Sequence, residues 1–198
     1  MLPGKTGQWE SLIKPVKKAI KLSIGPNVLK FSELQTLMYE AANLVNERPV
    51  GSHPNHPNDG TYLCPNDMLL GRASRKVPSG PFKEVSCRRR LEFIQKLADS
   101  FWKKWSAYYF SSLVLRSKWH ISKRNLMLND IVLVKDNNAL RGTWKIGKVS
   151  KTTPSSDGKV RRCEVSYKRT IPGMGFSKAF TTISRPVQDL VLLVACDE

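Results

Sequence analysis

The chain has 198 residues, enough for one domain or two small ones, with 40% hydrophobic and 25% charged side chains as in ordinary globular proteins. Its 33 Lys+Arg against 16 Asp+Glu give a net charge of +17. Cations outnumber acids in residues 1–83, 84–129 and 130–198 alike, which suits a polyanionic partner along much of the molecule better than an acidic or neutral surface would. The four cysteines, Cys64, Cys87, Cys163 and Cys196, form no CxxC pair, which argues against a zinc ribbon or a disulfide framework. No stretch has the apolar length of a signal peptide or a membrane span, so a reducing compartment, cytoplasm or nucleus, is expected.

Residues 8–24 read as a helix with Trp9, Leu12/Ile13, Val16, Ala19/Ile20 and Ile24 on its apolar side. Glu10, Lys14, Lys17, Lys18 and Lys21 occupy the other side, and Gly25-Pro26 stops it. Pro15 is an anomaly, because proline inside a helix removes a backbone bond and crowds the preceding turn, at about 3 kcal/mol. A second helix is expected from an N-cap at Ser32 to before Pro49, its stripe running Leu34, Leu37/Met38, Ala41, Leu44 and Val45. Residues 49–83, rich in Pro, Gly, Asn and His, read as an irregular connector. His53, His56 and Cys64 within it match no standard zinc spacing, so no metal is expected there.

A long helix follows, from Arg88 to Trp119 within residues 84–121, uninterrupted by Gly or Pro. Leu91, Ile94, Leu97/Ala98, Phe101/Trp102, Trp105, Tyr108/Tyr109 and Leu113 form its stripe. The aromatics suit a core better than a base-stacking platform. Arg89, Lys96 and Lys103 share another face, but Glu92 and Asp99 stand four residues before Lys96 and Lys103 and blunt it. Arg88, Arg90 and Lys104 lack such partners and are the better phosphate candidates. Beyond Leu128 the period changes. Strands are expected over Asp130–Lys135, Trp144–Ser150, Lys159–Tyr167, Ala179–Ile183 and Val191–Val194, with a tight turn at Ser155–Gly158. Such a set forms a small curled sheet or SH3-like barrel over residues 128–195 and offers Lys145, Lys148, Lys151, Arg161 and Arg162. Lys145, Lys148 and Arg161 are singled out as phosphate contacts, although strand alternation prevents all from acting on one face.

Arg88 to Val149 resembles the C-terminal domain of BEL/Pao-type retrotransposon polyproteins. That family's LAD-FW-RW helix appears as Leu97-Ala98-Asp99, Phe101-Trp102 and Trp105. Its GD-VLV-D strand and RG-W-LGRV segment appear as Asn129-Asp130, Arg141-Gly142, Trp144, Gly147 and Val149. Arg185-Pro186-Val187 through Leu190 matches the ending, and LCPNDMLLGR (Leu63–Arg72) is similar to the LTPN-LLLGR connector. GQWESLIKPVKKAI and NLVNERPV resemble the last two helices of the element's RNase H-like integrase core. The resemblance thus implies an α+β chain: residues 1–48 from the end of an integrase core, a connector at 49–83, and a C-terminal domain at 84–198.

It also places Glu10 at the third catalytic acid and Lys14 and Lys17 at DNA-end contacts, with Lys21 continuing that side. Pro15 departs from the family pattern. The family's two catalytic aspartates lie upstream of the matching stretch. One carboxylate cannot clamp two metals, so no catalysis by this chain alone is expected, and Mg or Mn belongs only to a complete integrase. Glu10 is then a solvated residue pairing with Lys14. The expected function is DNA binding within a retroelement integrase, with other integrase chains as further partners and no membrane. Alternatives are an SH3-like protein-interaction module walled by Trp144, Tyr167 and Phe176, a subunit lending Glu10 to another chain's site, and a decayed element copy with no selected role.

Overall fold

The computed structural model describes residues 8–52, 62–71, 90–114, 124–171 and 175–196, and the chain is α+β. Helix α1 spans Gln8–Ile24 and contains Pro15 at its eighth position. Its cyclic nitrogen has no hydrogen to give the carbonyl one turn back. Helix α2, Phe31–Asn46, starts one residue before the expected cap. The cap instead comes from Glu33, whose Oε2 accepts the Lys30 amide N–H at 2.8 Å. Glu33 Oε1 also meets Arg90 Nε at 2.9 Å, fixing the start of α2 to the start of helix α4, Arg90–Leu113. Leu37, Ile94, Leu97 and Ala98 make a core between these helices, with Ile24, Leu29 and Phe93 packed against it.

Helix α4 ends at Leu113 and Val114 forms a bend; the remainder of the helix expected from sequence, Leu115–Trp119, lies outside the described residues. Its buried side chains include Ile94, Leu97, Phe101, Trp102, Trp105 and Phe110, whereas Leu91, counted in the expected stripe, is exposed. Phe101, Trp105 and Tyr109 stack along one side at successive four-residue steps, with ring centroids 6.3 and 5.2 Å apart.

The connector carries regular structure. Strands β1 (Gly51–Ser52) and β2 (Tyr62–Leu63) pair antiparallel, and helix α3 (Pro65–Leu70) follows. Buried Glu47 accepts a hydrogen bond from Asn66 Nδ2 at 2.9 Å and lies 3.9 Å from Cys64 Sγ, so the NERP and LCPN segments meet at one carboxylate. Burial pushes the Cys64 thiol up to about 12, which marks it as a packing group rather than a nucleophile.

The main sheet has five antiparallel strands: β3 (Ile131–Val134), β4 (Lys145–Pro154), β5 (Val160–Ile171), β6 (Gly175–Pro186) and β7 (Leu190–Val194). Their order is β6-β5-β4-β3-β7, and a 3-10 turn at Val187–Asp189 precedes β7. The sheet is open: β6 and β7 stand at its two edges, so the expected closed barrel is not formed. The strands are also longer than expected, β6 running twelve residues where five were anticipated. Side chains of Val132, Val134, Val149, Cys163, Val165 and Leu190 fill the core on one face, with Leu126 beneath.

Two compact units emerge, residues 1–45 with 80–111, and 46–79 with 112–198. This grouping puts α4 in one unit with α1 and α2.

Candidate nucleic-acid interface

The sheet's second face is built by register. Lys148 pairs with Ser166, which pairs with Thr182; Lys151 pairs with Glu164, then Ser184; Thr153 pairs with Arg162, then Pro186; and Lys168 pairs with Phe180. Alternation puts these side chains opposite the core residues Val149, Cys163 and Val165. The face therefore carries the cations Lys148, Lys151, Arg162 and Lys168 against the single acid Glu164, interleaved with hydroxyls. Lys151 and Glu164 lie 3.9 Å apart with both side chains largely exposed, a contact too long and too wet to tie the lysine down. Among the described residues, neither Lys148 nor Arg162 has an ion-pair partner, and both are exposed.

A bulge makes this arrangement. The pairing shifts between Val149 and Lys151, so Ser150 is the extra residue and Lys151 returns to the face of Lys148. Plain alternation along β4 would have put Lys151 with Lys145 and opposite Lys148. Ser150 Oγ donates to the Glu164 carbonyl at 3.1 Å. Gly147 lies one residue before Lys148, and a Cβ built there would stand 2.4 Å from Val165 Cγ1 and 2.8 Å from the Ser166 carbonyl. Glycine at 147 thus lets β4 approach β5 closely enough to hold the register.

Two of the anticipated contacts are otherwise engaged. Lys145 Nζ lies 2.7 Å from Asp136 Oδ2 and 4.8 Å from the centre of the Tyr167 ring. Burial works to raise the Asp136 carboxyl, but the Lys145 hydrogen bond, the Asn138 amide and the charges of Lys145 and Arg185 outweigh it, and the group is held below its ordinary value. Arg161 grips Asp157 with two hydrogen bonds of 3.0 and 2.7 Å, closing the hairpin at which Gly158 takes φ 72°. That guanidinium hydrogen bond holds the Asp157 carboxyl below its usual range.

The helical candidates divide as well. Lys14, Lys17 and Lys21 are exposed on one side of α1, three and four residues apart, while Lys18 Nζ sits 5.2 Å from the Tyr108 ring centre. Glu10 belongs to α1, but its side chain is outside the described residues, as are Arg88, His53 and His56. Arg90 is paired with Glu33, and Lys104 donates to Ser100 Oγ on its own helix. Among the described residues, no three His, Cys, Asp or Glu side chains group as metal ligands, and no helix is long and apolar enough to cross a membrane.

Asp130 holds the sheet's entry in place. Its carboxylate is fully buried and accepts two hydrogen bonds from Arg124, at 2.8 and 3.0 Å, one from the Met127 amide at 2.8 Å and one from the Cys196 amide at 2.9 Å. Burial raises its pKa, yet these donors prevail and lower it. Asn129 before it has φ 71°, a left-handed conformation that glycine or asparagine adopts at least cost.

A family model matches residues 89–193, a little over half of the chain. The chain belongs to DUF5641, a family of unknown function. No curated protein and no solved structure matches it. The DUF5641 stretch contains α4, Asp130 with its donors Arg124 and Met127, and the whole cationic face of β4–β6, whereas Cys196 and the lysines of α1 lie outside it. Lys168, in the DUF5641 stretch, was missed as a residue of this face; strand alternation from Arg162 along β5 was the available signal.

Proposed function

We propose that this chain binds nucleic acid, DNA by its resemblance to BEL/Pao elements, as a part of a retroelement integrase that is not catalytic by itself. The observation that carries the reading is the second face of β4–β6: four cations to one acid, spaced by hydroxyls on a rigid sheet. Lysine and arginine supply attraction to phosphates, and Ser and Thr hydroxyls and sheet rigidity supply positioning, which favours backbone over base recognition. Lys14, Lys17 and Lys21 form a second phosphate surface on α1.

The strand order also supports an SH3-like ancestry for the sheet: three hairpin connections, a 3-10 turn, then a last strand that returns beside the first. For residues 1–48 as the end of an RNase H-like core, the support is an apolar stripe on α2 that α1 and α4 leave uncovered. Phe31, Leu34 and Met38 recur at helical spacing and are exposed, as helices of a layered core would be on the side facing a further layer. A single carboxylate at the position of the third acid cannot clamp two metals, so the reading contains no chemical step.

The peptide-binding alternative has less to stand on. Trp144 and Tyr167 are buried, and Tyr167 is already covered by Lys145. The Phe176 side chain is outside the described residues.

Gel shift and fluorescence anisotropy with a random-sequence oligonucleotide test the proposal. Affinity should fall steeply and linearly on a logarithmic salt scale, with little dependence on sequence. No binding at low ionic strength, or binding indifferent to salt, overturns it.

A further inference from the structure

We infer that the cationic face takes single-stranded nucleic acid, or frayed ends, with an unpaired base on the ring of Phe180; this rests on the nucleic-acid reading above. Phe180 is 53% exposed although it lies mid-strand in β6. It is on the cationic face, because its register partner is Lys168, and β6 is an edge strand, so the ring stands at an open border of that face. The ring is aromatic, flanked by hydroxyl-bearing Thr182, and within one or two strands of Lys148 and Ser166.

Lys168 Nζ lies over the Phe180 ring, 5.0 Å from its centre. An ammonium on an exposed ring is held weakly. A base can share or take the ring face beside Lys168, whose charge then lies next to the adjoining phosphate. In a duplex the base faces are already stacked on each other, and such a ring has nothing to cover. With an unpaired strand it adds a sequence-tolerant contact to the backbone attraction. One ring gives one stacked base, with Lys148 and Arg162 following the backbone across the sheet.

The experiment uses the full chain, a single-stranded DNA oligonucleotide carrying one 2-aminopurine, and the same sequence as a duplex. The expected result is tighter binding of the single strand and a change in 2-aminopurine fluorescence on binding. Phe180→Ala should weaken single-strand binding by roughly tenfold and leave duplex binding unchanged, while Phe180→Trp restores it. The salt slope should not change in either variant, because no cation is removed. Equal losses on both DNA forms, or no loss on either, overturn the inference while leaving nucleic-acid binding intact. Failure of the wild-type chain to bind either form overturns both. Unchanged thermal unfolding of Phe180→Ala separates a lost contact from a damaged sheet.

Discussion

Several single residues matter for backbone reasons that side-chain chemistry alone would miss. Gly147 is the sharpest case. Replacing it with alanine pushes a methyl into Val165 and the Ser166 carbonyl, and the variant should lose about 1–3 kcal/mol in denaturant unfolding. Asn129 sits at φ 71°. Asn129→Gly should be tolerated, whereas Asn129→Val should destabilise by at least about 1 kcal/mol. Comparative melting of the two variants checks this. The resemblance carries glycine at that position, so the pattern was legible, but its physical reason was not. Asp130 was legible too, as the acid of a motif; that it has no solvent exposure and gathers donors from residues 124, 127 and 196 was not. Asp130→Asn removes the charge of a buried carboxylate from half-exposed Arg124 and should cost about 1–3 kcal/mol at neutral pH.

That carboxylate also sets an acid limit. Asp130 and Asp136 both titrate below their ordinary values in the folded chain. The unfolded state then binds protons more readily than the folded one. Their contribution is complete above the ordinary carboxylate range, about pH 4, and is lost as pH falls through the lowered folded values. Stability measured from pH 6 downwards should fall in that range, and Asp130→Asn should flatten part of the fall.

At the scale of elements, α1 is helical through Pro15. Pro15→Ala supplies the missing N–H and should raise stability by up to about 3 kcal/mol, visible as an increase in the thermal midpoint. In α4 Phe101, Trp102 and Trp105 are buried as the aromatic spacing implied, whereas Tyr108 is exposed and Tyr109 half-buried. Trp105 is 1% exposed and stacks between Phe101 and Tyr109, so Trp105→Ala should cost about 3–5 kcal/mol. The cationic strands give a different kind of test. Lys148→Gln and Arg162→Gln should each weaken DNA binding and reduce the salt slope by about 1. Lys145→Gln and Arg161→Gln should change affinity less, because carboxylates already hold those cations. Filter-binding titrations at several salt concentrations distinguish the two pairs.

For the whole molecule, charge, class and the order of the three long helices and five main-sheet strands were determined by sequence alone, whereas β1, β2 and α3 of the connector were not. A positive balance, helical periodicity in three segments and alternating β-branched segments beyond residue 128 are local properties, each carried by neighbours within a few positions. Which cations share a surface is not local. It turned on one extra residue, Ser150, that moves Lys151 to the side of Lys148, and on two acids outside their own elements, Asp136 and Glu33, that occupy Lys145 and Arg90. A shift of one residue in register exchanges the two faces of a strand. Openness of the sheet was undecided for a related reason: closure depends on whether edge strands β6 and β7 meet, and no pattern within either strand encodes that pairing.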